Sequence, residues 1–288
     1  MRRTVAHTVQ WEGTTQRVWD VAATDPAAGA TTIVMVHGFR GDHHGLRRLA
    51  EELPAHRVLL PDLPGFGQGQ ELPGTHDVAA YARFVGACVL DLAGDRPVLL
   101  GHSFGSIVAA EAVAARPEAV AALVLINPIS SPALEGPSRL ASRAAEAYYV
   151  AADRLPERLG RALLANRLIV RLMSEFMATT RDRSLRRWIH GQHRAYFSSF
   201  TSRRVVLEAF RASISGTVRE RAAELVPPVL LVVAEQDPLG SPESQRELAA
   251  LVPDATLRMI PGVGHLVHYE KPREAARLIE EYLEALPG

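Results

Sequence analysis

The 288-residue sequence contains one cysteine, Cys88, and one lysine, Lys271. A lone cysteine excludes an intramolecular disulfide, and its place in an apolar helical pattern marks it as inert packing. Every other basic side chain is arginine and alanine is abundant. That bias looks like coding preference, which weakens any argument from guanidinium geometry at a single position. Long hydrophobic runs are missing too. The longest, Ala119 to Ile126, is strand-sized, well short of the ~20 residues a membrane span needs. Excess charge of either sign is absent: 32 basic side chains face 32 acidic ones. Neither nucleic acid nor a membrane is therefore expected as a partner. Met1-Arg2-Arg3 is basic, but Thr4, His7, Thr8 and Gln10 interrupt any signal-peptide core, so the cytoplasm is the expected compartment.

What is present centres on Val98-Leu99-Leu100-Gly101-His102-Ser103-Phe104-Gly105-Ser106. An apolar run ends at Gly101, a serine sits between two glycines, and an Ala/Val-rich helical pattern follows at once. This reads as strand, sharp turn and helix with Ser103 at the apex. Side chains two positions either side of such an apex would collide, so glycine is needed there. A serine N-cap would explain the helix start but not both glycines.

Before this stretch, Thr4 to Trp11 and Gln16 to Ala22 read as a strand pair, and Thr32 to Val36 as a buried strand. Helix His43 to Leu53, with Asp42 as cap, strand Arg57 to Leu60 and helix Asp77 to Leu92 follow. After it comes strand Ala121 to Ile126. Strand patterns then vanish: from about Ser131 to Leu225 the segments are helical and rich in Ala, Arg and Leu. Val229 to Val233, helix Pro242 to Leu251, strand Thr256 to Ile260 and helix Arg273 to Leu286 complete a βα series. The expected fold is a mostly parallel central sheet with flanking helices. Residues 1–130 and 228–288 form its core, and 131–227 an inserted all-helical subdomain.

A serine hydroxyl needs a neighbouring base, itself oriented by a carboxylate, to become a nucleophile. Asp237 follows the resumed strand and His265 the last one, and in open α/β sheets active groups gather at such carboxyl ends. The order serine, acid, histidine is the order expected after an elbow of this kind. Glu235 and His268 are the local competitors, and Asn127 occupies the other strand tip that could have carried the acid. His43-His44 hints at a metal pair, but adjacent side chains are expected to diverge and no carboxylate cluster accompanies them, so no metal is expected.

The chain resembles the α/β-hydrolase superfamily over nearly its whole length outside 131–227. The resemblance is carried by His37-Gly38-Phe39, Asp62-Leu63-Pro64-Gly65-Phe66-Gly67, Gly101 to Gly105, Asp237 with Pro242, and Gly264-His265 with Glu270 and Pro272. It implies Ser103 as nucleophile, His265 as base, Asp237 as its partner, and the backbone N–H groups of Phe39 and Phe104 as the oxyanion hole, with no cofactor. It also implies that 131–227 is a cap over the pocket. Tyr148, Phe176, Trp188 and Phe197 are its pocket candidates, with Tyr149, Leu172 and Tyr196 beside them.

The serine argues against the branches that use an aspartate nucleophile. Hydrolysis of small to medium uncharged carboxylic esters is the leading expectation. A meta-cleavage-type C–C hydrolase shares the same residue set. A menaquinone-pathway lyase resembles His37 to Asp42 closely, but where it carries an arginine this chain has Ile107. A small-molecule receptor on the same fold is the alternative outside enzymes. The arginine-rich 131–227 reads as a solvated face, or as a rim attracting anionic substrates.

Overall fold

Runs of five or six residues, mostly Val, Leu and Ile, build the centre of the molecule. The computed structural model describes residues 2–25, 30–132 and 139–286. It contains an eight-stranded sheet, and within strands β3 (Thr32–Val36), β5 (Val98–His102), β6 (Ala122–Ile126) and β7 (Val229–Ala234) almost every residue is buried. Such runs lack polar alternation because helices cover both sheet faces. Ile33 and Met35 pack on one face, with Leu46 and Leu49 of α1 (His43–Glu51) and Ala275 and Ile279 of α11 (Pro272–Glu284). Val34 and Val36 pack on the other, with Phe84 of α2 (Val78–Leu92) and Val108 of α3 (Phe104–Ala115).

Together with β1 (Thr4–Trp11), β2 (Thr14–Val21), β4 (Arg57–Pro61) and β8 (Ala255–Ile260), the strand order is β1-β2-β4-β3-β5-β6-β7-β8. The β1–β2 and β2–β4 pairs are antiparallel; the others are parallel. Parallel order aligns the carboxyl ends of β3, β5, β6, β7 and β8 along one rim. Helix starts follow the sequence: Asp42 accepts from the His44 N–H and Asp77 from the Ala80 N–H.

Between β6 and β7 the described chain is helical: α4 (Arg139–Arg154), α5 (Glu157–Leu164), α6 (Arg167–Met177), α7 (Arg183–Tyr196) and α8 (Arg203–Ser215). These helices lie over the carboxyl rim, and the loop after β4 is stitched to them by Gly67 N–H to Ser199 O and Thr201 N–H to Gly65 O, both 2.9 Å. Helix α9 (Pro242–Leu251) returns to the sheet. The short helix α10 (Val267–Glu270), directly after His265, escaped the sequence reading.

Candidate active site

The turn from β5 into α3 forces Ser103 into the left-handed region, at φ 55° and ψ −123°. A non-glycine residue there is strained and persists only where its surroundings hold it. The glycines explain how: a Cβ on Gly101 would lie 2.3 Å from the Gly105 carbonyl oxygen, and one on Gly105 2.3 Å from that of Val36. Ser103 makes no side-chain cap bond, so the N-cap reading fails. Its hydroxyl instead donates to His265 Nε2 at 2.8 Å. His265 Nδ1–H donates to the Asp237 carboxylate, at 2.9 and 3.0 Å to its two oxygens. Because the carboxylate only accepts, the proton sits on Nδ1 and Nε2 is left to accept from serine.

The competitors are occupied elsewhere. Glu235 accepts from the Gly262 N–H. His268 is buried beside His102, their ring centres 4.1 Å apart, and burial holds it well below its ordinary pKa. Asn127, which also has positive φ, organises the histidine loop: its amide donates to His265 O at 2.9 Å and accepts from the Ala234 N–H at 2.7 Å. His102 Nε2–H donates to the same carbonyl at 3.2 Å, and burial pushes its pKa down to about 3, keeping it neutral.

The loop after β3 is fixed by similar single-tautomer bonds. His37 Nε2 accepts from the Leu63 N–H at 3.0 Å, so Nδ1–H must donate to Gly38 O at 2.9 Å. A Cβ on Gly38 would stand 3.2 Å from Ser103 Cβ, which shows how closely this loop backs onto the serine. Among the described residues neither the Phe39 nor the Phe104 N–H has an acceptor. Below the loop, Asp62 accepts from both the N–H and Nδ1–H of His43 at 2.8 Å, and from Trp19 and Gln68. Burial alone would raise this carboxyl, yet these donors, His43 first, hold it below its ordinary pKa.

A cavity of about 1080 Å³ opens over Ser103, His265 and Asp237. Phe176 and Phe197 line it, as do Tyr149, Leu172 and Tyr196. Tyr148 and Trp188 do not. The Tyr148 hydroxyl donates to Leu163 O within the helical layer, and Trp188 packs edge-on against Tyr269 with Arg48 above its ring. A second expectation needs correction: His43 and His44 do not diverge. Their rings lie 3.9 Å apart, with donor atoms of Asp42, His43 and His44 within 4.8 Å of one another. Each imidazole Nδ1 is already bonded to a carboxylate, His43 to Asp62 and His44 to Asp42.

Two residues that hold the site together went unread in the sequence. Arg40, fully buried with φ 57°, donates to Phe197 O at 3.0 Å and Leu164 O at 2.9 Å, and stacks on the Phe197 ring. Thr179 takes the Gly264 N–H on its hydroxyl oxygen and donates to Glu270, joining the helical layer to the histidine loop. Glu270 belonged to a motif, but nothing nearby in sequence pointed to its partner.

The pattern of the alpha/beta hydrolase fold family matches residues 31–272. The chain belongs to that family. Lipase LipV of Mycobacterium tuberculosis is 41% identical over 103 residues, 35% of this chain and 38% of its own length. The pimeloyl-[acyl-carrier protein] methyl ester esterase of Citrobacter koseri is 38% identical over 99 residues, 34% of this chain and 37% of its own. The chain thus spans little more than a third of either relative. A thermophilic esterase from Thermogutta terrifontis superposes with a TM-score of 0.76 at 23% identity, covering 99% of both chains, a likeness of fold.

Proposed function

We propose that this protein is a serine hydrolase of small to medium uncharged carboxylic esters. The observation that carries the reading is the continuous Ser103–His265–Asp237 hydrogen-bond chain on a strained turn at the base of a largely apolar cavity. His265 takes the Ser103 proton as the hydroxyl oxygen attacks the ester carbonyl. The developing oxyanion is met by the N–H groups of Phe39 and Phe104, which lie on the two segments pressed together at Gly38 and Ser103. Protonated His265 passes its proton to the leaving alcohol, giving an acyl-enzyme. Water, deprotonated by the same imidazole, then releases the acid. Asp237 holds the tautomer and stabilises the imidazolium. No cofactor takes part, and the buried, unpaired Cys88 suits a cytoplasmic protein.

Residues 131–227 act as the cap. Their wall of Leu172, Phe176 and Phe197 shields the acyl-enzyme, and the cavity, at about 1080 Å³, is slightly larger than the ~300–1,000 Å³ typical of small-molecule sites. Neighbours and relatives named esterase or lipase support the reaction class. The test is a fluorophosphonate probe followed by a panel of chromogenic esters graded by acyl length. Labelling at Ser103 with turnover of medium acyl esters is expected. Absence of labelling, or labelling that survives Ser103→Ala, overturns the reading.

A further inference from the structure

One side of α6 carries an exposed apolar stripe that begins in the cavity wall and continues beyond it. Leu168, Leu172 and Phe176 recur every four residues, which places them along one side. They are 68%, 61% and 62% exposed, while Ser174 on the opposite side is buried. Isolated exposed leucines need no explanation, but a continuous apolar stripe marks a contact surface. Leu172 and Phe176 also line the cavity, so the stripe runs to its entrance.

Charge identifies what would cover it. The protein is neutral overall, yet residues 131–227 hold 17 arginines against 9 acids, leaving 15 bases against 23 acids elsewhere. Arg158, Arg167, Arg181 and Arg183, in α5, in α6 and around the start of α7, are exposed. Among the described residues they have no acidic partner within 4 Å. A second copy docking through this face would bring two positive layers together. An anionic bilayer supplies both apolar depth for the stripe and negative charge for the arginines.

We infer that the α6 face docks on anionic phospholipid surfaces and turns the cavity entrance towards them. The inference departs from the expectation that no membrane is a partner only in proposing peripheral contact; among the described residues no helix is long and apolar enough to cross a membrane. The inference rests on the hydrolase reading only in its consequence, that esters dissolved in the lipid reach Ser103 from the bilayer side.

The test is flotation of the full chain with vesicles of phosphatidylglycerol and phosphatidylcholine, and of phosphatidylcholine alone, at ~20 and ~300 mM salt. Binding to the anionic vesicles that weakens with salt is expected. Leu168→Asp should lower it more than tenfold, and Arg167→Gln about fivefold. Leu168 lies outside the cavity wall, so turnover of a soluble ester should stay within twofold in that variant. No flotation with anionic vesicles, flotation indifferent to both substitutions, or a dimer that Leu168→Asp dissociates would each overturn the inference. Soluble-ester turnover and probe labelling are measured separately. Turnover without flotation refutes docking and leaves the hydrolase standing, and flotation without turnover does the reverse.

Discussion

Lowering the pH from 7 to 5 should destabilise the fold through histidines it keeps neutral. Burial pushes His102 down to about 3, and burial with His190 nearby pushes His193 down to about 4. In the unfolded chain both return to ~6.5. A histidine depressed in this way contributes stability that is complete above ~6.5 and is lost as the pH falls towards its folded value. At pH 5 the unfolded state has taken up both protons and the native state almost none. Each group then costs 1.5 pH units at ~1.36 kcal/mol, about 2 kcal/mol, or about 4 for the pair. That is a large share of the ~5–15 kcal/mol that stabilises a typical domain. His37, His190 and His268 are shifted in the same direction and add to it. The depressed carboxylates Asp20, Asp62 and Glu208 are held below their ordinary values and titrate at more acid pH. The assay is urea unfolding at pH 7, 6 and 5, with proton uptake on unfolding measured at pH 5. His193→Gln, whose amide can still bond the Ser174 hydroxyl, should remove about 2 kcal/mol of the pH dependence. A loss below ~1 kcal/mol between pH 7 and 5, or uptake of less than one proton, refutes the reasoning.

Ser103→Ala should lower ester turnover by about 10⁶ while leaving the urea midpoint nearly unchanged; residual activity above ~1% would mean another nucleophile. Asp237→Asn should lose about 10⁴ in kcat, read from steady-state hydrolysis, since an amide cannot stabilise the imidazolium. Gly105→Ala places a methyl 2.3 Å from Val36 O, so the loop carrying Phe39 must retreat by about 1 Å. Its kcat should fall at least ~100-fold with about 1–3 kcal/mol of stability, measured on the same preparation.

What was legible in the sequence was legible because its causes are local. Gly101 and Gly105 are demanded by the two residues' distance from the apex, and Asp42 and Asp77 by the helices they start. Asp237 and His265 stand at strand tips, and parallel strands bring their tips together whatever lies between. The helical layer obeys no such rule. Tyr148 and Tyr149 are neighbours on α4, yet Tyr149 reaches the cavity and Tyr148 bonds within the layer, because successive helix residues point about 100° apart. The apolar faces of these helices are plain in the sequence, but periodicity does not say whether such a face meets the cavity, a neighbouring helix or solvent. Arg40 shows the same limit from the other side. Its carbonyl partners lie 124 and 157 residues away, so no local pattern could name them. An arginine buried against carbonyls, with no acidic partner among the described residues, makes sense only once the helical layer is in place above it. Arg40 therefore ties the loop that carries the Phe39 N–H, proposed here as half of the oxyanion hole, to the seating of those helices.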